Sequence, residues 1–200
     1  MGKHFSRNKP RGLHNHDRQL CSRFDLQFIP DSERVMGYQL IETIEVGSGG
    51  AASIEFTGID QTGQDLVILV STRHSGGDSA GRIQFNGDTT DSNYTSRWLQ
   101  GNGSGVLSVT YSAPYFGYTN NSTMTANTFN SASCHIPNYT SSSAKSFAVE
   151  SVQEDNNSVA IAMINAGIWN VSSAITSLKL YWTTSLVQYS TASLYKITAD

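Results

Sequence analysis

Leu66-Val67-Ile68-Leu69-Val70 is the apolar run that decides the fold class of this 200-residue chain. The run is too short for a buried helix and is rich in β-branched residues, so it predicts a core strand with both faces covered. The glycine-rich residues 75–81 that follow supply a reversal, and residues 82–86 then alternate polar and apolar side chains. We therefore predict a hairpin made of a buried strand and a half-buried strand.

Short strands separated by turn signals continue on both sides of this hairpin. Further strands are predicted at residues 38–46, 52–56, 93–99, 106–111, 124–129, 133–139, 145–153, 159–164, 175–182 and 193–197. In the first of them, Leu40, Ile44 and Val46 are expected to point inward. Residues 159–169 are the one serious helix candidate, but Asn165 and Gly167 argue against a helix. Strands at intervals of about ten residues predict an all-β fold, an antiparallel, jelly-roll-like β-sandwich over residues 35–200.

The composition separates this body from a basic N-terminal arm, residues 1–34. Charged residues make up 14% of the chain, well below the roughly 25% of typical globular domains, and Ser, Thr, Asn and Gly cover the exposed positions instead. Up to residue 23 there are six basic residues and one acidic residue, whereas the rest of the chain holds seven basic and fifteen acidic residues. The arm has too few apolar residues for a core of its own, so we expect it to be a tail or an extension ordered by a partner.

The arm supplies the predicted partner-binding residues. Its basic side chains favour an acidic protein surface as partner, with nucleic acid as the less favoured alternative. Phe24, Leu26 and Phe28 alternate with polar residues, so this segment could add a strand to the edge of a sheet. The predicted contacts in the arm are Arg7, Lys9, Arg11, Arg18, Arg23, Phe24, Leu26 and Phe28.

Motifs for catalysis or metal binding are weak in this sequence. Gly77-Asp78-Ser79-Ala80-Gly81 matches the Gly-x-Ser-x-Gly pattern of hydrolases, but such an elbow needs a helix after it, and residues 82–86 read as a strand. Asp88 and Asp91 lie at a spacing that calcium could use, yet two acids in a β-loop more often cap their own backbone. We therefore expect no enzyme activity, no cofactor and no metal.

The aromatic residues and the cysteines leave alternatives open. Tyr115, Phe116 and Tyr118 are predicted to lie in a loop, where a subunit contact is favoured over a sugar-stacking platform. Trp98, Trp169 and Trp182 are predicted to be core residues. Cys21 and Cys134 are interpreted as two unpaired thiols, with a disulfide between them as the alternative.

Targeting signals are missing from the sequence. The first residues contain no apolar stretch of signal-peptide length, and no apolar run reaches the roughly 18 residues of a membrane-spanning helix. We expect a soluble protein that does not use the ordinary secretory route and does not bind a membrane.

Six runs of the body carry a resemblance to a known group of proteins. They are Leu66-Val67-Ile68-Leu69-Val70-Ser71-Thr72-Arg73, Ile83-Gln84-Phe85-Asn86-Gly87-Asp88-Thr89, Asn93-Tyr94-Thr95-Ser96-Arg97, Ile136-Pro137-Asn138-Tyr139, Ala174-Ile175-Thr176-Ser177-Leu178 and Gln188-Tyr189-Ser190-Thr191-Ala192-Ser193-Leu194-Tyr195. These runs resemble those of jelly-roll-like virion proteins of tailed bacteriophages. The similarity spans roughly residues 38 to 198 and leaves out the arm, and its motifs are structural rather than catalytic.

This resemblance implies a module on the surface of a virus particle, assembled in the host cytoplasm and expected to be a homotrimer. The favoured function is a capsid decoration or cement protein whose arm and β-body bind the major capsid protein or other virion proteins. The alternative is a tail fibre or receptor-binding module that recognises a host glycan. A hydrolase that uses Ser79 ranks far below both.

Overall fold

The structure is a computed structural model that describes residues 36–77, 80–157 and 160–199. The predicted arm, residues 1–34, lies outside the described residues. Those residues that are described form twelve strands and one short 3-10 turn, Asp91–Asn93, with no α-helix among them. The strands are β1 Met36–Glu45, β2 Ala51–Thr57, β3 Asp65–Ser71, β4 Ala80–Phe85, β5 Tyr94–Gly101, β6 Val106–Tyr111, β7 Tyr115–Tyr118, β8 Ser131–Ile136, β9 Lys145–Glu154, β10 Ala160–Trp169, β11 Ser177–Leu186 and β12 Thr191–Ala199.

These strands form two antiparallel sheets packed face to face. The larger sheet has eight strands in the order β1-β12-β3-β8-β9-β10-β5-β6, and the smaller sheet has four in the order β2-β11-β4-β7. The first four strands of the larger sheet, β1-β12-β3-β8, and the whole smaller sheet, β2-β11-β4-β7, together have the strand order of a jelly roll. In a jelly roll, two Greek keys are spread over two sheets. The predicted antiparallel, jelly-roll-like β-sandwich is therefore confirmed.

Two inserted hairpins widen the larger sheet. The hairpin of β5 and β6 lies between β4 and β7 in the chain, and the hairpin of β9 and β10 lies between β8 and β11. The edge strand of the smaller sheet, β7, packs over β9 and β10, so β5 and β6 form the margin of the sandwich. The strands predicted at residues 93–99 and 106–111 form this first hairpin, in which Gly101 pairs with Val106.

The core between the sheets is built from alternating side chains. Every second residue of β9 is buried, and its Phe147 meets Phe85 of the smaller sheet with ring centroids 5.6 Å apart. Phe85 also packs on Trp169 at 5.5 Å. The three tryptophans predicted for the core are at most 6% exposed, as expected.

Residues 160–169 form a strand, as Asn165 and Gly167 suggested. Asn165 is buried and donates from Nδ2 to the carbonyl of Tyr115 at 2.6 Å. A Cβ on Gly167 would overlap the ring of Phe147. Glycine is therefore required at this position because the Phe147 ring lies directly on the β10 backbone.

The predicted hairpin of β3 and β4 is wrong. β3 pairs with β12 and β8 in the larger sheet, whereas β4 pairs with β11 and β7 in the smaller sheet. The chain crosses between the sheets at Thr72, whose backbone N–H donates to Asn130 Oδ1 at 2.7 Å, and at Arg73, whose backbone N–H donates to Ser190 Oγ at 3.1 Å. Buried side chains satisfy the crossing backbone, so a local turn is not needed.

The strand predicted at residues 124–129 is also wrong, because this segment is a loop folded around Arg73. The Arg73 guanidinium donates to the carbonyls of Met124, Thr125 and Thr128 at 3.0, 2.9 and 3.1 Å. Asn127 adopts a left-handed backbone with φ of 63°, which interrupts an extended chain. The apolar residues of the segment do not pair with a neighbouring strand.

Two strands of the larger sheet, β1 and β3, expose apolar side chains that were expected to be buried. A bulge between Leu40 and Glu42 resets the alternation of β1, so Leu40 faces outward and is 51% exposed, although it was expected to point inward. On β3, Val67 is buried but Leu69 is 46% exposed, so the described residues cover only one face of this strand completely.

Candidate functional site

The outer face of the larger sheet, which points away from the smaller sheet, carries exposed aliphatic side chains. Five of them lie on β3, β9, β10, β5 and β6, with β8 between the first and the other four, and we term them the aliphatic strip. They are Leu69 (46% exposed), Val152 (49%), Ile164 (56%), Leu99 (52%) and Val106 (78%). On β3 and β10 the adjacent residues Ile68 and Met163 are buried in the core, so Leu69 and Ile164 lie on the outer face.

Strand register brings the strip together. Leu69 lies opposite Ser133, Ser133 opposite Glu150, Glu150 opposite Ile164, and Ile164 opposite Leu99. Apart from Glu150, the outward residues between them are small, such as Ser133 and Ala162, and the strip borders two shallow depressions of about 370 and 420 Å³ that share Glu150 and Val152. The result is a mostly apolar surface with one carboxylate, Glu150, near its middle.

The rest of the described surface is acidic because half of the body's cations are buried. Six Lys and Arg residues and ten Asp and Glu residues occur among the described residues. Arg73, Lys145 and Lys196 are each at most 9% exposed. Of the others, Arg82 and Lys179 form ion pairs with Asp91 and Glu55 at 3.8 and 2.9 Å. Arg97 remains exposed on the outer face.

Each buried cation holds a loop in place. The Lys145 ammonium donates to the carbonyls of Ser141, Ser143 and Ser173, and burial lowers its pKa. The Lys196 ammonium donates to both carboxylate oxygens of Asp60 at 3.0 and 2.8 Å. The bonds from Lys196 and from Thr62 lower the pKa of Asp60 to about 2. Because both ammonium groups are buried and bound to acceptors within the fold, they do not present positive charge to a ligand.

The residues predicted to form an aromatic loop are found in a strand. Tyr115, Phe116 and Tyr118 belong to β7, which pairs with β4, so the loop prediction is wrong. Phe116 is 1% exposed and points into the core, where it cannot make the predicted contact. Tyr115 and Tyr118 are half-buried, so two of the three residues remain accessible to a partner.

Tyr115 and Tyr118 take part in an aromatic cluster at the margin of the sandwich. Trp98 lies at its centre, with ring centroids 5.0 Å from Tyr115, 5.2 Å from Tyr118 and 5.2 Å from Tyr111. The Arg82 guanidinium lies 4.9 Å from the centroid of Tyr115, a cation–π arrangement. The indole N–H of Trp98 is buried and meets no acceptor within the described part of the chain. The cluster therefore combines partly exposed rings with a charged side chain.

The Asp88 carboxylate, in the acidic loop after β4, accepts hydrogen bonds from its own loop and from Trp169. The Asp88 carboxylate accepts from the backbone N–H of Thr90 at 2.9 Å, from Asn93 Nδ2 at 2.9 Å and from Trp169 Nε1 at 2.8 Å. Burial opposes ionisation of Asp88, but these donors outweigh it and lower the pKa. No cluster of three potential metal ligands occurs among residues 36–77, 80–157 and 160–199.

Several predicted residues lie outside the described residues. They include Ser79 of the Gly-x-Ser-x-Gly motif and every predicted contact of the arm, from Arg7 to Phe28. Strand β4 begins inside the motif, at Ala80, so a strand and not a helix continues the chain after it. Cys134 is a free, buried thiol with a pKa raised by burial, and Cys21 lies outside the described residues.

The sequence analysis missed the aliphatic strip and most of the aromatic cluster. Residues 160–169 are apolar at nearly every position, so the sequence alone does not show which side faces the core. Trp98, Tyr111 and Arg82 come from three different strands, and only the long-range pairing brings them to Tyr115. The sequence did contain a signal for the strip. Apolar residues occur at both even and odd positions of β10, which indicates a strand that is covered on both faces.

Comparison with known proteins gives no assignment for the chain. No family model, no curated protein and no solved structure matches it. In the described ranges, no helix is long and apolar enough to cross a membrane.

Proposed function

We propose that this protein is a structural protein of a bacteriophage particle, a capsid decoration or cement protein that binds other virion proteins through its arm and its β-body. The aliphatic strip is the observation that carries the proposal. Contiguous exposed apolar patches mark interaction surfaces, and this one lies on a rigid sheet. The resemblance of residues 38 to 198 to jelly-roll-like virion proteins supports the same class.

The proposed mechanism is mechanical. A trimer of the body that contacts several coat subunits stabilises the lattice, because separating any two subunits then breaks several contacts together. Arg7, Lys9 and Arg11 in the arm pair with acidic residues of the coat, which steers binding more than it strengthens it. No catalytic step is required for this function.

Deleting residues 1–34 tests the proposal in particles. The truncated protein should lose particle occupancy by about tenfold or more, since it loses the multivalent contact, and the particles should lose their genome at a lower temperature. Counting copies per particle by quantitative mass spectrometry is the accompanying measurement. Unchanged occupancy after the deletion would refute the proposal.

A second candidate function, recognition of a host glycan by a tail fibre, is favoured by the aromatic cluster. The half-buried tyrosines offer ring surface for stacking, and Arg82 and Asp91 beside them offer hydrogen-bonding groups. This combination suits a neutral or acidic sugar. Under this function the protein is present in a handful of copies. Replacing Tyr115 and Tyr118 by Ala would then abolish cell or glycan binding, whereas the decoration function predicts no change.

A further inference from the structure

We infer that the part of the aliphatic strip on β9, β10, β5 and β6 is the docking site for the same face of a second copy of this chain. A two-fold axis relates the two copies, and Glu150 of each copy pairs with Arg97 of the other. The inference rests on the proposed function and deepens it, because it names the partner that covers the strip where copies lie close together on the particle.

Two oppositely charged side chains beside the strip have no ion-pair partner among the described residues. Glu150 is exposed on β9, and Arg97 is exposed on β5. Arg97 is also the one Lys or Arg residue of the described ranges that is neither buried nor paired. This part of the outer face therefore presents an acidic and a basic group that both lack a counter-ion.

Strand register fixes the distance between these two groups. Glu150 lies opposite Ile164, and Ile164 lies opposite Leu99. Arg97 lies two residues before Leu99 and pairs with Ala166. The Cα atoms of Glu150 and Arg97 are therefore two strands apart, about 9.6 Å, and two residues apart along the strands, about 6.8 Å, which gives about 12 Å in a flat sheet. Their midpoint lies on β10, between Ile164 and Ala166.

A two-fold axis through this midpoint exchanges the two charged positions. The axis lies in the plane of the interface, at a right angle to the line from Glu150 to Arg97. The contact is then isologous, so Glu150 of each copy lies over Arg97 of the other. Facing sheets lie about 10 Å apart, a gap that a glutamate and an arginine side chain span together. One docking step therefore gives all four charged groups a counter-ion.

The residues around the axis suit close packing of two sheets. Ile164 and Leu99 are 56% and 52% exposed, and the axis places Ile164 of each copy against Leu99 of the other. The outward residues on the other side of the midpoint, Ala148 and Ala166, are small, so the sheets can approach each other. Burial of the aliphatic groups supplies the attraction, and the ion pairs set the register of the contact.

Charge favours a second copy over a partner with a purely apolar surface. An apolar partner would bury Glu150 and Arg97 without counter-ions, which is strongly unfavourable. The same face of a second copy supplies both counter-ions, and it supplies them at the required spacing because the spacing is its own.

The size of the face predicts a weak pair. From β3 to β6 the outer face measures about 24 by 27 Å, which is roughly 650 Å² on each copy. Interfaces of standard size bury about 800 Å² on each side. We therefore expect few pairs in dilute solution and more where copies are concentrated on the particle.

Charge reversal in the full-length chain tests this inference. Glu150→Arg and Arg97→Glu each create two like-charge contacts across the axis, so each should lower the self-association constant by about thirtyfold or more. Sedimentation equilibrium over a wide concentration series measures this constant. The matched control is Thr57→Arg, at an exposed and outward position of the smaller sheet, which should change the constant by less than about twofold.

Mixing the two charge-reversed variants gives the decisive result. In a pair with one copy of each variant, both contacts again join opposite charges, so an equimolar mixture should recover the association that neither variant shows alone. An arm or a coat protein as the occupant predicts no such recovery. Failure of the unchanged chain to self-associate, unchanged association of the single variants, or no recovery in the mixture would each overturn the inference.

Unfolding curves verify that the variants fold, as expected for two exposed positions. If a reversed variant does not fold, the milder changes Glu150→Gln and Arg97→Gln replace it. Each should lower the self-association constant about fivefold, and an unchanged constant would then overturn the inference. All of these outcomes concern the isolated protein and refute only the pairing of copies, whereas unchanged particle occupancy after deletion of residues 1–34 refutes the proposed function.

Discussion

The outer faces of the two sheets differ in chemistry. On the smaller sheet, outward residues are polar or paired, as in the ion pair between Lys179 and Glu55 at 2.9 Å. On the larger sheet, the outward residues include the aliphatic strip, and every exposed large apolar residue in a described strand belongs to this sheet. The outer face of the smaller sheet is suited to contact with water, whereas the outer face of the larger sheet is suited to contact with another protein.

This difference separates folding from binding in one domain. The inner faces and the crossing between the sheets contain the aromatic core and the buried cations, so substitutions there should change the free energy of unfolding. The strip adds nothing to the described core, so substitutions on it should change binding. Each of the following predictions compares two positions that differ in this respect.

The largest expected effect is on stability, at Arg73. Arg73→Met leaves the carbonyls of Met124, Thr125 and Thr128 without their donor. We expect a loss of about 4 kcal/mol in the free energy of unfolding, since buried polar groups are costly when unpaired. Arg97→Met, on the exposed outer face, should change it by less than about 0.5 kcal/mol. Urea denaturation measures both, and equal losses would contradict the account.

A smaller loss of stability is expected at Gly167, compared with its neighbour on the same strand. Gly167→Ala places a methyl group against the Phe147 ring in the core, and overpacking should cost about 3 kcal/mol. Ala166→Val adds more atoms but points outward, so its cost should stay below about 0.5 kcal/mol. Thermal unfolding of the pair would expose an error in the assigned faces if Ala166→Val were the more damaging change.

Binding to particles should respond to Ile164 and not to Thr57. Ile164→Asp places a charge on the strip opposite Glu150 and should weaken particle binding by about thirtyfold, the scale of an interface hot spot. Thr57→Asp on the smaller sheet should leave binding within about twofold. Co-sedimentation of each variant with particles that lack the protein measures this, and unfolding curves verify that both variants fold. A comparable loss for Thr57→Asp would remove the distinction between the two faces.

The smallest effect is a dependence of stability on pH at Asp60. Its pKa is lowered from 3.8 to about 2 in the folded protein by the bonds from Lys196 and Thr62. A lowered pKa means that the contribution is complete above pH 3.8 and is lost as the pH falls through about 2. Because the Asp60 side chain is 46% exposed, the contribution should be below about 1 kcal/mol. Asp60→Asn should flatten this part of the stability profile, and an unchanged profile would show that the pair is not formed.

The fold class could be predicted from the sequence because the turns are local. Glycine-rich and Asn-rich segments separate short apolar runs, and the strand predicted at residues 145–153 is observed as β9. The hairpin of β5 and β6 was predictable for the same reason, since its two strands are joined by a short loop.

Long-range pairing could not be predicted, and it produced the main errors. The crossing at Thr72 and Arg73 depends on Asn130 and Ser190, which are distant in the sequence, and these contacts replaced the expected hairpin. The Arg73 side chain likewise turned residues 124–129 into a loop. At Leu40, one bulge reversed the alternation. The aliphatic strip follows from the register of β3, β9, β10 and β5, which no single segment encodes.

The most direct test of the central claim is the thiol reactivity of two positions on assembled particles. Ala162→Cys lies on the strip and Thr57→Cys on the smaller sheet, and both are exposed in the isolated chain. After assembly, maleimide labelling should slow by about tenfold or more at Ala162→Cys and remain unchanged at Thr57→Cys, since a formed interface excludes the reagent. Equal labelling of the two positions on the particle would contradict the account.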